Sequence, residues 1–191
     1  MSDFQAPDFR RPLDVEGLLA ATPASATVKG MYLQRLVELM VQHGNGTDVR
    51  KYVAFKDYPL RELMQRVVDA ARELHPKLPL REGIRELGRL VFPTLQASIA
   101  GRVMFSFAGN SYEGALKRVA QGYALSQNPG SAHLVRIAKG EAIVELRSIW
   151  NFPDCYQVGV HEGALAWYKC EGHVEVRIHS PCDADLRIRW A

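Results

Sequence analysis

Long apolar runs are missing from this chain: no stretch of about 20 consecutive apolar residues occurs, so the sequence offers nothing to span a bilayer as a helix. Cysteine is scarce, with only Cys155, Cys170 and Cys182, spaced fifteen and twelve residues apart and without a CxxC pair. That excludes a zinc ribbon by spacing. An odd number of thiols also predicts free, reduced cysteines rather than a disulfide framework. The first residues, MSDFQAPDFRRPLDVEG, lack the apolar core of a secretory signal, so the expected location is the cytoplasm. Neither sign of charge is in large excess. With 24 basic against 21 acidic residues the net charge is +3, too little to predict nucleic acid as a partner.

Several catalytic signatures are absent as well. There is no GxxxxGK[ST], no GxGxxG after a strand and no GxSxG, which removes the phosphate loop, the dinucleotide fold and the nucleophile elbow. Ser106, Ser111, Ser126 and Ser131 have no readable base partner. The expectation is a protein that is not an enzyme, because no nucleophile, base and orienting group can be assembled from the string.

What is present is patterned. Residues 1–25 carry Pro7, Pro12 and Pro23 and end in ATPASAT, which predicts a flexible N-terminal arm with at most one helical turn around VEGLLAA. Residues 26–191 then form one α+β domain, with a helical part over 28–125 and a sheet part over 131–190. Met31, Leu33, Leu36, Val37, Met40 and Val41 recur at helical spacing until HGNG stops them. Leu60, Leu63, Met64, Val67, Val68 and Ala71 form a stripe between Pro59 and Pro76. A third helix starts near Pro79, and Pro93 inside it predicts a kink or a break. SYEGALKRVAQGYAL reads as another helix, and NPG at 128–130 as a turn.

From about residue 131 the period changes from helical to alternating. AHLVRIA and EAIVELRSIW are strands around Lys139-Gly140, CYQVGVHEGALAWYKC is a helix, and HVEVRIH and DLRIRW are two further strands. The fold class is therefore α+β, N-terminal helices packed with a C-terminal β-β-α-β-β antiparallel four-stranded sheet that carries its helix across one face. Alternation turns Val174, Val176, Ile178, Leu186, Ile188 and Trp190 inward. It turns His173, Glu175, Arg177, His179, Asp185, Arg187 and Arg189 outward. A turn over Pro181–Asp183 would set Arg177 near Arg187 and Glu175 near Arg189. That face is then mildly basic: a solvated surface, or an anion or partner face through Arg177, Arg187 and Arg189.

GVHEGALAW, residues 159–167, is the nearest thing to a metal motif. A zincin needs a second histidine four residues after His161, and Leu165 stands there. Glu162 lies about 100° around the helix from His161, so the two do not converge on one proton. Gly159-x-x-x-Gly163 instead predicts close packing, with His161 and Glu162 facing solvent or an interface. His173 and His179 are about 20 Å apart along a strand and cannot share a metal. A single histidine suffices to ligate haem from one side, so haem stays open at this point. The aromatic cluster VMFSF with Tyr112 and Tyr123 is either core or the lining of an apolar cavity between helices and sheet.

VKGMYLQRLVELM, REGIRELGRLVFPTL with Leu87-Gly88-Arg89, and the ending from YQVGVHEGALAW to DADLRIRW resemble a family of uncharacterised proteins found in many paralogous copies in myxobacteria. The likeness covers residues 28–190. That family is similar, at a distance, to 4-vinyl reductase-type sensor domains and to the haem-nitric oxide-binding-like fold. The resemblance implies a non-catalytic sensory module with a pocket for an apolar small molecule, acting as a homodimer. If a ligand enters, the expected lining is Phe105, Phe107, Tyr123, Tyr156 and Trp167. The resemblance also bears on cofactors. Zinc in the first group is held within a C-x-A-x-G-D-x-x-C hairpin; Asp183 fits the aspartate, but Ile178 and Leu186 replace the cysteines. The Tyr-x-Ser-x-Arg string of the haem relatives does not occur. The expectation is no cofactor, with both zinc and haem disfavoured. The alternative is a protein-interaction or anion- and nucleotide-binding module acting through the basic sheet face.

Overall fold

Helices fill the first two thirds of the computed structural model and a sheet the last, with residues 3–44, 50–106 and 111–191 described. α1 (Val15–Ala21) is capped by the Asp14 carboxylate, which accepts the Gly17 N–H at 2.9 Å. β1 (Thr27–Lys29) leads into α2 (Gly30–Gln42), and β2 (Asp57–Pro59) into α3 (Leu60–Leu74). The whole expected stripe of α3 is buried, with Leu60, Met64 and Val68 fully enclosed. On α2 the stripe closes one turn early: Met31, Leu33, Leu36 and Val37 are buried, whereas Val41 is half exposed.

The expected third helix divides into α4 (Leu80–Gly88), α5 (Val91–Ala97) and α6 (Ile99–Ser106). Pro93 sits in the first turn of α5, where a missing N–H leaves no intrahelical bond unmade. The next expected helix also divides, into α7 (Tyr112–Leu116), capped by the Ser111 hydroxyl, and α8 (Val119–Ser126). β3 (Gln127–Asn128) returns to β1, making a small sheet in the order β2-β1-β3.

β4 (Ser131–Ala138), β5 (Glu141–Arg147), α9 (Tyr156–Trp167), β6 (Gly172–Ser180) and β7 (Asp183–Trp190) complete the β-β-α-β-β unit. All pairings are antiparallel, in the order β4-β5-β7-β6. Lys139-Gly140 makes the first hairpin, and Gly140 takes φ 74°, a conformation that favours glycine. Ala142, Val144, Leu146, Ala184, Leu186 and Ile188 are fully buried on the inner face. Each large aliphatic side chain among them contributes about 1.5–3 kcal/mol by leaving water.

The β6–β7 register corrects the expected one. Only Pro181 and Cys182 separate the paired residues Ser180 and Asp183, and a bulge between Ile178 and Ser180 shifts the register by one residue more, so that Arg177 opposes Asp185 and Glu175 opposes Arg187. Opposite charges, not like ones, meet across the strands. Arg187 reaches Glu175 at 2.6 Å, Arg177 reaches Asp185 at 2.6 Å, and Arg189 lies 3.1 Å from Glu141.

Residues 3–25 lie against the domain. Gln5 exchanges both backbone hydrogen bonds with Val176 on the edge strand β6, at 3.1 and 2.8 Å. The guanidinium groups of Arg177 and Arg187 lie over the Phe4 ring, 4.5 and 4.7 Å from its centroid. Further along, the buried Arg81 of α4 donates to the Arg11 and Pro12 carbonyls and to Asp154. Asp154 also accepts from Arg11. A buried guanidinium must be paired, and the arm supplies two of its acceptors.

Candidate functional site

α9 is buried on almost every side: Tyr156, Gln157, Val158, Gly159, His161, Gly163, Ala164 and Leu165 are all enclosed. A helix with no wet face has no room for an idle polar side chain. Its three polar residues therefore carry information.

One side of α9 closes on α4. A Cβ on Gly159 would stand 2.1 Å from the Arg85 carbonyl oxygen, one on Gly163 2.2 Å from that of Arg89, and one on Gly88 2.2 Å from that of Tyr156. Backbone meets backbone, as the glycine spacing predicted. Glu162 does not face solvent. It accepts from Arg85 Nε and Nη2 at 2.7 Å each and from Arg89 Nε at 2.9 Å, so two guanidinium groups, one on α4 and one on the residue that caps its C-terminus, grip one carboxylate of α9.

The other side faces a cavity of about 80 Å³, lined by α2, α3, α5, α6, α7, α8 and α9 together with β1, β3 and the loop before α9. His161 lines it, 4% exposed, with its ring stacked at 22° on Tyr123. The expectation that His161 faces solvent or an interface is corrected here: the α4 side is taken by glycines and Glu162, and the imidazole turns to the interior. Desolvation pulls its pKa down to about 4, so it is neutral near pH 7. Tyr123, Tyr156 and Tyr112 also line the cavity, and burial pushes their hydroxyls far above the ordinary phenol value. All are protonated donors. Tyr32 is pushed up to about 12 by the same cause, and its hydroxyl meets Ser126 Oγ at 2.6 Å.

A directed chain of neutral hydrogen bonds runs along one wall. The Tyr123 hydroxyl donates to Gln157 Oε1 at 2.7 Å, and Gln157 Nε2 to Asn151 Oδ1 at 2.9 Å. Asn151 Nδ2 then donates to Gln127 Oε1 at 3.0 Å. The last donor, Gln127 Nε2, has no partner. The other two buried side-chain polar atoms without a partner among the described residues are the Tyr112 hydroxyl and His161 Nε2. All three residues line the same cavity.

Of the expected lining, Phe105, Tyr123 and Tyr156 are brought together at the cavity. Trp167 is half exposed at the end of α9, its ring edge-on to Phe92. Phe107 lies outside the described residues. Arg177, Arg187 and Arg189 stand on the outer sheet face, each ion-paired. The cysteines are free, with Cys155 buried and its thiol pKa raised by desolvation. Among the described residues no three His, Cys, Asp or Glu side chains gather to hold a metal, and no helix is long and apolar enough to cross a membrane. Sequence reasoning missed Gln127, Asn151 and Gln157, which belong to no motif. The available signal was a helix, CYQVGVHEGALAW, too apolar all round to have a solvent side.

No curated protein matches the chain. Among solved structures the chain is similar to an H-NOX protein from S. oneidensis in its Fe(II)NO state, at 16% identity and a TM-score of 0.63, covering 85% of this chain and 99% of that one. It is also similar to an H-NOX structure concerned with haem distortion, at 19% identity and a TM-score of 0.62, covering 85% and 94%. An oxygen-binding H-NOX domain related to soluble guanylate cyclases matches at 19% identity and a TM-score of 0.56, covering 84% and 92%. The likeness shows the fold: an H-NOX-like α+β arrangement. The residues present do not fit a haem. The cavity is well below the roughly 300–1,000 Å³ of ordinary ligand pockets, and among the described residues no Lys or Arg lines it to meet a porphyrin's carboxylates. Residues 15–191 match the family described as "Protein of unknown function (DUF2378)", and the chain belongs to that family.

Proposed function

We propose that this member of the DUF2378 family is a non-catalytic, sensory ligand-binding module that takes a small, largely apolar molecule into the cavity between its helices and α9. The observation that carries this reading is the cavity itself, where apolar walls meet a few convergent polar groups. Its polar groups are neutral: the tyrosines hold their protons and the imidazole is uncharged. They suit binding rather than proton transfer. A bound molecule touches α5, α7, α8 and α9 at once, so it can favour one arrangement of these helices over another, which is what a sensor needs.

The proposal passes over the outer sheet face, because Arg177, Arg187 and Arg189 are occupied by Asp185, Glu175 and Glu141, and Phe4 covers two of them. Pairing of two copies is a further part of the proposal. Ile99 and Val103, one turn apart on α6, are 70% and 59% exposed and offer an apolar surface for it. Light scattering reads that directly.

Xenon is the probe for the cavity. In xenon-saturated buffer the methyl resonances of Leu95, Leu116 and Val160 shift in the wild-type protein. Gly122→Leu, whose new side chain enters open space on the cavity wall, abolishes the shift without unfolding the chain. A wild-type spectrum unmoved by xenon overturns the reading.

A further inference from the structure

We infer that the cavity selects small uncharged molecules carrying a hydrogen-bond-accepting oxygen, with a short ketone or aldehyde as the fitting chemistry, and that Tyr112 and Gln127 are its donors. The inference rests on the cavity reading above and specifies what that cavity prefers.

Three arguments converge. The first is donor count. Gln127 Oε1 is already taken by Asn151, which fixes the amide so that Nε2, a donor, is the free end. Tyr112, a residue 2% exposed whose hydroxyl has no partner among the described residues, lines the same cavity and supplies a second donor. A neutral imidazole at His161 adds a nitrogen that donates or accepts according to its tautomer. An accepting carbonyl oxygen, with two lone pairs, can meet the two donors; a pure hydrocarbon leaves every one of these groups unmet.

The second argument is polarisation. From Tyr123 through Gln157 and Asn151 to Gln127 each group donates to the next, so the dipoles align and sharpen the terminal N–H as a donor. The chain runs from α8 through α9 and the loop before it to β3. An acceptor at its open end is therefore felt by elements far apart in sequence.

The third is charge and size. Among the described residues no Lys, Arg, Asp or Glu lines the cavity, so a carboxylate or an ammonium would be buried without a counter-charge, at a cost of several kcal/mol. A cavity of about 150 Å³ holds benzene, and about 80 Å³ accordingly suits some four heavy atoms. At the best ligand efficiency, four atoms bind no more tightly than tens of micromolar.

The test compares acetone with isobutene, its hydrocarbon isostere, by titrating each into the full chain and following methyl and side-chain amide resonances. A wholly apolar cavity prefers isobutene by roughly ten- to hundredfold, the desolvation cost of the carbonyl. The expected result is acetone binding at least as tightly as isobutene, with the Gln127 amide protons moving downfield for acetone alone. Tyr112→Phe removes only an unpartnered hydroxyl and lowers the affinity for acetone relative to isobutene about three- to tenfold. Isobutene binding more tightly than acetone overturns the inference and leaves the cavity reading standing. An acetone-to-isobutene ratio that Tyr112→Phe does not change overturns the role given to Tyr112. If neither probe binds while the chain is folded, the cavity reading fails and the inference falls with it.

Discussion

The two sides of α9 solve opposite problems. Toward α4 there is no slack: three glycines bring carbonyl oxygens to within about 2 Å of where a Cβ would stand, and one carboxylate takes up two guanidinium groups. Toward the cavity, three buried polar atoms go without partners and the walls stay apart. An unsatisfied buried group costs about 1–3 kcal/mol. A fold optimised only for stability would have replaced these residues with aliphatic ones. The difference teaches that α9 is a fixed post on one side and a wall left open for something else on the other. Breaking the fixed side should be catastrophic, and altering the open side mild.

The largest effect is expected at Gly159. A methyl group there meets the Arg85 carbonyl, and neither helix backbone can yield without parting the seam, so Gly159→Ala costs at least about 3 kcal/mol. Urea denaturation measures it. A loss below 1 kcal/mol would mean that the seam is looser than described and would dissolve the contrast.

His161 comes next, through pH. Its folded pKa of about 4 lies below the ordinary 6.5, so the unfolded chain takes up the proton first. The sign follows: stability is intact above pH 6.5 and falls by roughly 3 kcal/mol as pH drops to about 4. Glu175, Asp183 and Asp185, whose pKa values are lowered, add losses at still lower pH as they protonate. The difference between wild type and His161→Phe at pH 7 and pH 4.5 isolates the histidine. Equal pH dependence in the two proteins would place the imidazole in water rather than in the cavity wall.

The legible parts of this molecule are those whose sequence period survives folding. Val174, Val176, Leu186 and Ile188 alternate and lie on the buried face as read, and the α3 stripe is buried residue for residue. The small sheet was not legible, because strands of three, three and two residues carry no alternation. The β6–β7 register missed by two residues, one from a turn tighter than expected and one from a bulge between Ile178 and Ser180 that no residue pattern announces, and together they set Arg177 against Asp185 rather than Arg187. Asp185 shows the consequence. It points outward yet is 1% exposed, covered by Arg147, Arg177 and His179. The candidate site was half legible. Its aromatic members could be listed from composition, and Phe105, Tyr123 and Tyr156 do meet at the cavity. The amide chain could not, since Gln127, Asn151 and Gln157 are ordinary polar residues that only tertiary packing aligns. His161 was misplaced by treating α9 as a helix with a wet side, though its sequence offers none.

The smallest effect sharpens the contrast most. Gly122 lies in α8 on the cavity wall, and the nearest heavy atom to a Cβ there is Leu95 Cδ2, at 3.9 Å. The substitution that wrecks the seam at Gly159 therefore meets open space at Gly122. Removing a helix-interior glycine reduces the freedom of the unfolded chain, so Gly122→Ala raises stability by about 0.5–1 kcal/mol while narrowing the cavity by one methyl group. Stability and xenon binding should move in opposite directions, one up and one down. A variant that gains stability and binds xenon as before would show that the gas sits elsewhere. A variant that loses stability would show that α8 is packed as tightly as α4, and the cavity would cease to be the loose side of α9.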